Sequence, residues 1–241
     1  MNRGIYPILS GALAQERQVQ VFANNVANVN TAGFKQDEAM FRSLIAHRLG
    51  SMMPTGSNER IFVSSQGLKT VFDSGRLRKT GNPLELAIRG AGFFEVKTPQ
   101  GMRYTRNGIF HLDHQRRLVT EMGYPVMGSR GEIKLERGEV QIGPTGVIQV
   151  NGQEAATIRF VDFPESQRPQ KAEGGFFAGE NPKPAKDAVV ESGYIEESNV
   201  SALTEMVKLI QGMRMYESAQ KLIQTFDRMT EMSVQEVGRV G

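Results

Sequence analysis

Apolar residues recur at helical intervals near both ends of the chain and at alternate positions through its middle. Ile5, Ala12, Val19 and Val26 stand at heptad spacing, with Ile8, Phe22 and Val29 beside them. That spacing predicts an amphipathic helix of coiled-coil character. Pro7 suits its first turn, while Gly11 interrupts the stripe and Gln15 softens it. The cluster Asn28, Asn30, Thr31 and Gly33 predicts a C-cap and turn, because Asn tolerates left-handed backbone and Gly takes it freely. Residues 37–49 are expected as a short further helix or an extended arm. At the other end Met206, Ile210, Met213, Tyr216, Ala219, Ile223 and Phe226 predict a helix from Ala202 to Glu236. It would be about 50 Å long at ~1.5 Å per residue. Ser198 or Ser201 can cap it, Glu205 suits its first turns, and Gly212 inside it costs ~1 kcal/mol against Ala.

The middle alternates. Short strands are expected at residues 84–89, 93–96, 117–120, 124–127, 140–142, 147–150 and 157–162. Residues 101–110 predict a hairpin centred on Arg106-Asn107-Gly108, since Asn-Gly is a tight-turn signal. Residues 164–187, rich in Pro, Gly, Lys and Glu, are expected as a long surface loop or linker. The fold class is therefore α+β: long N- and C-terminal helices packed together, plus a central antiparallel β-domain. The expected divisions are 1–45 (helix and arm), 46–80 (connecting extended segment), 81–190 (β-rich domain) and 191–241 (C-terminal helix).

Composition narrows the chemistry. The 29 Lys plus Arg against 26 Asp plus Glu leave a net charge of +3, too small to indicate a nucleic-acid partner. There is no cysteine, which excludes disulfides and thiolate metal sites. No window reaches the ~18 apolar residues of a membrane helix, so no direct membrane insertion is expected. No secretory signal is visible, so export would need another route. His111 and His114, three apart near a strand, fall on opposite faces and lack further ligands beyond His47 and carboxylates. Gly90-Ala91-Gly92 has no third spaced glycine and reads as a tight lead-in to a strand. Asp73, Glu85, Asp113 and Glu121 show no spacing that would pair two for glycoside cleavage. No nucleophile–base constellation stands out. The chain is expected not to be an enzyme and to need no cofactor or metal.

The two helices imply assembly. A two-helix pair hides only part of its apolar surface, and isolated amphipathic helices are marginal in water. The Met-rich remainder asks for neighbouring subunits. A head-to-tail contact whose rotation does not close gives a helical filament. The ends of a free monomer are expected to be disordered and to fold on assembly.

Several stretches resemble one family, in order along the chain. Residues 23–35, Ala-Asn-Asn-Val-Ala-Asn-Val-Asn-Thr-Ala-Gly-Phe-Lys, resemble the N-terminal signature of the flagellar rod, hook and hook-associated family, with Val26 where most members have Leu. Residues 80–88, 90–94 and 104–108 resemble its middle. Ser198-Asn199-Val200, residues 203–207 and Tyr216-Glu217 resemble its C-terminal signature, with Gly212-Met213-Arg214-Met215 departing from the usual small residues. Length, the short Gly50–Gln66 stretch and the tail at 220–227 and 236–239 are most similar to proximal-rod members; the distal rod type is the nearest rival.

The resemblance implies a structural axial subunit of the flagellar basal body. Its terminal helices would form the inner core around an export channel, the β-domain would lie outside, and the packed subunits would carry torque. It further implies export through the type III apparatus without a cleaved signal peptide, into a rod that crosses the periplasm. Partners would be other copies of this chain, other rod subunits and the export apparatus. Assembly would fall on Asn24, Asn25, Asn28, Asn30, Thr31, Gly33 and Phe34, and on the stripes Ile5, Ala12, Val19, Phe22, Val26, Met206, Ile210, Met213, Tyr216, Ile223 and Phe226. On that footing, replacing Asn25 and Asn28 by Ala should impair rod formation more than monomer stability. The competing classes are a wall-acting enzyme and an export adaptor.

Overall fold

A computed structural model of the chain describes residues 5–46, 60–185 and 188–237, in two compact units. Unit 1 holds both helices and the paired strands between them. Unit 2 takes in residues 28–36 and 70–200.

In unit 1, α1 spans Ile5–Ala27 and α2 spans Ala202–Val237. At 36 residues α2 is about 54 Å long. The helices pack on one another as an antiparallel pair: Asn25 meets Glu205, Phe22 meets Lys208, and Val19 meets Gly212. Gly212 is buried, and a Cβ built on it would stand 3.0 Å from a Val19 methyl and 3.7 Å from the Phe22 ring. The helix gives up some propensity there so that the two backbones can approach. Gly212→Leu should therefore force the helices apart and cost ~1–3 kcal/mol of unit 1 stability, read as lower helix content on urea titration by circular dichroism. Residues Asp37–Ala46 form a strand paired with Arg60–Thr70, the extended alternative of the two expected for this arm.

Unit 2 is built from antiparallel pairings. Its largest sheet has six strands, in the order Gln170–Lys171, Phe177–Ala178, Gly101–Thr105, Phe93–Thr98, Phe160–Asp162, Lys183–Pro184. A three-stranded meander covers Val140–Ile142, Val147–Val150 and Gln153–Thr157. Strand Phe93–Thr98 is buried on both faces. Period-two alternation sends Phe94 and Val96 into one apolar cluster with Leu86, Phe110 and Leu118, and Phe93 into another with Tyr104, Phe163 and Phe177.

The structure departs from two expectations. Residues 101–110 are not a hairpin. Gly101–Thr105 pairs with Phe93–Thr98, and Phe110–Leu112 pairs with Leu118–Thr120. Arg106-Asn107-Gly108 is instead a crossing between sheets. The Asn107 carboxamide oxygen accepts the Ile109 N–H at 2.9 Å, and a Cβ on Gly108 would stand 1.6 Å from the Leu86 carbonyl oxygen. The glycine is there for close passage, not for a tight turn. Residues 164–187 are not a free linker either. They supply three strands of the six-stranded sheet and bury Phe176 and Phe177, with the Phe177 ring 5.4 Å from Phe93. Their Pro and Gly content masked two aromatic anchors.

Candidate functional site

The signature region divides into a face and two buried polar anchors. The first anchor lies within unit 1. Asn25 and Glu205 are wholly buried. The Asn25 amide group donates to the Asp37 carbonyl at 2.9 Å and to Glu205 Oε2 at 3.1 Å, while its Oδ1 accepts the Asp37 N–H at 3.0 Å. Lys208 Nζ donates to Glu205 Oε1 at 2.7 Å, and its ammonium lies 5.8 Å from the Phe22 ring centre. One carboxamide thus ties the end of α1, the start of α2 and the start of the first strand. Removing it takes one hydrogen bond from a buried carboxylate and one from each of two main-chain groups. Asn25→Ala should cost about 1–3 kcal/mol of unit 1 stability, measured by chemical denaturation. Burial of Asn25 inside its own unit moves the expected effect of its loss toward stability.

The second anchor lies within unit 2. Lys35, Arg106 and Glu196 are charged and buried, with 1%, 5% and 1% of their surface exposed. Glu196 Oε1 accepts Lys35 Nζ at 2.7 Å and the Gly75 N–H at 2.8 Å; Oε2 accepts Arg106 Nη1 at 3.4 Å. Lys35 Nζ also donates to the Asp73 carbonyl at 2.8 Å. The guanidinium donates to the Ile88 and Gly90 carbonyls at 3.1 and 2.7 Å and sits 5.3 Å from the Phe93 ring centre. Burial pulls the Lys35 ammonium below its ordinary range, against the attraction of Glu196; Arg106 is lowered for the same reason. Gly33, at φ +69°, passes so close that a Cβ would lie 2.3 Å from the Arg106 carbonyl carbon. Only glycine fits that path.

Thr31 N–H donates to the Asn28 carbonyl at 3.1 Å, closing the turn after α1, and Thr31 Oγ1 contacts Asn28 Oδ1 at 3.2 Å. Phe34 is half-buried beneath the Lys171 ammonium, 3.9 Å from its ring centre. Asn24, Asn30 and Thr31 are exposed. Of the helix stripes, Ala12 is buried; Val19, Phe22, Val26, Tyr216, Ile223 and Phe226 are half-buried. Ile5 is the first residue of α1, and its side chain lies outside the described residues, as do His47, residues 50–59 and residues 238–241.

Met206, Ile210 and Met213 form a different face. They are 48%, 53% and 48% exposed and run with Leu203, 77% exposed, along one side of α2. The face of α2 that is buried or half-buried runs one position away, through Glu205, Leu209, Gly212, Tyr216, Ala219, Ile223 and Phe226. The expected single stripe is therefore two: one that holds the helix pair, and one that the pair leaves open. Sequence reasoning did not single out Lys35, Arg106, Glu196 or Asn199 as functional. The signal was charged and amide residues lodged inside otherwise apolar or turn-forming motif stretches.

His111 is exposed on strand Phe110–Leu112, and His114 sits in the turn that follows. Among the described residues no helix is long and apolar enough to cross a membrane.

Three family descriptions match the chain in order. Residues 5–35 match "Flagella basal body rod protein", 87–150 match "Flagellar hook protein FlgE/F/G D1 domain", and 191–236 match "Flagellar basal body rod FlgEFG protein C-terminal". The chain is 32% identical to flagellar basal-body rod protein FlgF of Caulobacter vibrioides, over 100% of both chains. It is 30% identical to FlgF of Rhizobium meliloti over 99% of both. It is 29% identical to the rod protein FlgG of Bacillus subtilis, over 96% of this chain and 97% of that one. With that identity along its whole length, the chain belongs to the flagellar basal-body rod protein family.

Proposed function

We propose that this chain is a structural subunit of the flagellar rod, of the proximal, FlgF-like type, and that it works by self-assembly through its terminal helices. The observation that carries this reading is the open apolar face of α2. Leu203, Met206, Ile210 and Met213 lie outside the helix pair, and burying what each still exposes would contribute about 1–2 kcal/mol. Such a face asks for a neighbouring subunit. Methionine suits it, because an unbranched, polarisable side chain adapts to neighbours that are not identical. The partners are further copies of this chain and other rod subunits.

In this reading the helix pairs surround the export channel, the rod crosses the periplasm, and subunits reach it through the flagellar type III apparatus without a cleaved signal. The two buried anchors belong to the subunit's own fold, and the open stripe belongs to assembly. Deletion of the chain from its source cell tests this. Cells without it should build the export apparatus but neither a complete rod nor a hook, and the wild-type chain should restore both. Normal hooks in the deletion strain would overturn the reading.

A further inference from the structure

The chain passes between its two units after residues 27, 36, 69 and 200. Three of these crossings leave unit 2 beside Asn199. Its Oδ1 accepts the Gln36 N–H at 2.7 Å. Its amide nitrogen donates to the Val71 carbonyl at 2.9 Å and the Asp73 carbonyl at 3.1 Å. Its own N–H donates to the Phe34 carbonyl at 3.3 Å, and the Val71 N–H donates to the Gln36 carbonyl at 2.8 Å. One residue of the third segment thus bonds the other two, at Gln36 and at Val71 and Asp73, each within four positions of a crossing. Immediately behind it, Glu196 gathers Lys35 and the Gly75 N–H from the same segments.

We propose that Asn199, backed by the Lys35–Glu196 pair, is a clasp that holds these three crossings in fixed register whether or not the terminal helices are folded. The chemistry is specific to an amide. The position needs one acceptor facing an N–H and two donor hydrogens facing two carbonyls, and only asparagine offers both at this length. Aspartate keeps the acceptor but sets a negative charge against the Val71 and Asp73 oxygens. Alanine loses everything but the main-chain bond. The buried ion pair suits a clasp rather than a plain filler. Charges taken out of water demand one geometry, whereas apolar side chains tolerate several. A subunit whose helices order only on meeting neighbours would then start from three roots already aligned. The clasp lies wholly within unit 2 and stands independently of the rod assignment.

Hydrogen–deuterium exchange on the full chain, wild type against Asn199→Ala and Asn199→Asp, tests it. In wild-type protein at urea concentrations where α1 and α2 amides exchange freely, the amides of Gln36, Val71, Gly75 and Asn199 should stay protected with the core strand Phe93–Thr98. Asn199→Ala should speed exchange at Gln36 and Val71 at least tenfold, with strand Phe93–Thr98 unchanged. Asn199→Asp should loosen the 71–73 arm and spare Gln36. Two results would overturn the clasp: wild-type crossing amides that exchange together with the helices, or an Asn199→Ala variant whose crossings stay as protected as wild type.

Discussion

Replacing Glu196 by alanine will destabilise unit 2 by about 3–5 kcal/mol, among the largest losses expected from any single change in the chain. Among the described residues this carboxylate is the anion paired with two buried cations, Lys35 at 2.7 Å and Arg106 at 3.4 Å. Without it both cations keep their carbonyl partners but lose the opposite charge that offsets their desolvation. Burial pulls the Lys35 ammonium below its ordinary range against the attraction of Glu196, and removing Glu196 leaves that burial cost in place. Lys35→Met combined with Glu196→Ala should recover part of the loss, because one buried cation has gone with the anion. An interaction energy between the two sites of ~1–3 kcal/mol is expected in the double-mutant cycle. The chain has no tryptophan, so urea unfolding is best followed by circular dichroism or tyrosine emission. A loss below ~1 kcal/mol would mean that the cluster is solvated.

Replacing Met206 and Ile210 together by aspartate will abolish incorporation into rods while leaving the subunit folded. Both side chains are about half exposed and lie one position off the buried face of α2 that carries Glu205 and Gly212. Burying the exposed half of each at a subunit contact contributes about 2 kcal/mol in all, roughly thirtyfold in association, before any cost of burying the new charges. The double variant should match wild type in helix content and in the unfolding midpoint of unit 2. It should be absent from purified rods. The contrast with Asn25→Ala is the control: that change lies inside the helix pair and should lower helix stability. Rods that accept the double aspartate variant would place assembly on some other surface.

Much of this architecture was legible in the residue pattern. The interval of apolar residues located α2 to within one residue of its C-terminal end, and Asn28 to Gly33 marked the end of α1. Alternation located about half of the strands of unit 2 and missed, among others, Leu77–Lys79, Gln153–Thr157, Val189–Ser192 and Tyr194–Glu196. Hydropathy failed where polar groups do structural work. It could not separate the two faces of α2, because the packing stripe includes Glu205 and Gly212, one charged and one without a side chain. Their partners, the Asn25 carboxamide and the Val19–Phe22 surface, lie some 180 to 190 residues away along the chain. Arg106-Asn107-Gly108 carried a local turn signal that a long-range requirement, the passage beneath Leu86, explains better. Residues 164–187 looked like a linker because turn residues outnumber Phe176 and Phe177, which fix their place in the sheet. Local signals identify the elements; the buried polar anchors appear only when distant segments meet.

The most direct test of a structural rod role is the chain's presence in the structure it is held to build. Hook–basal bodies purified from the source organism should contain this chain in a small, fixed ratio to the hook protein, retained through detergent and high-salt washing. Its absence from intact hook–basal bodies would contradict the account.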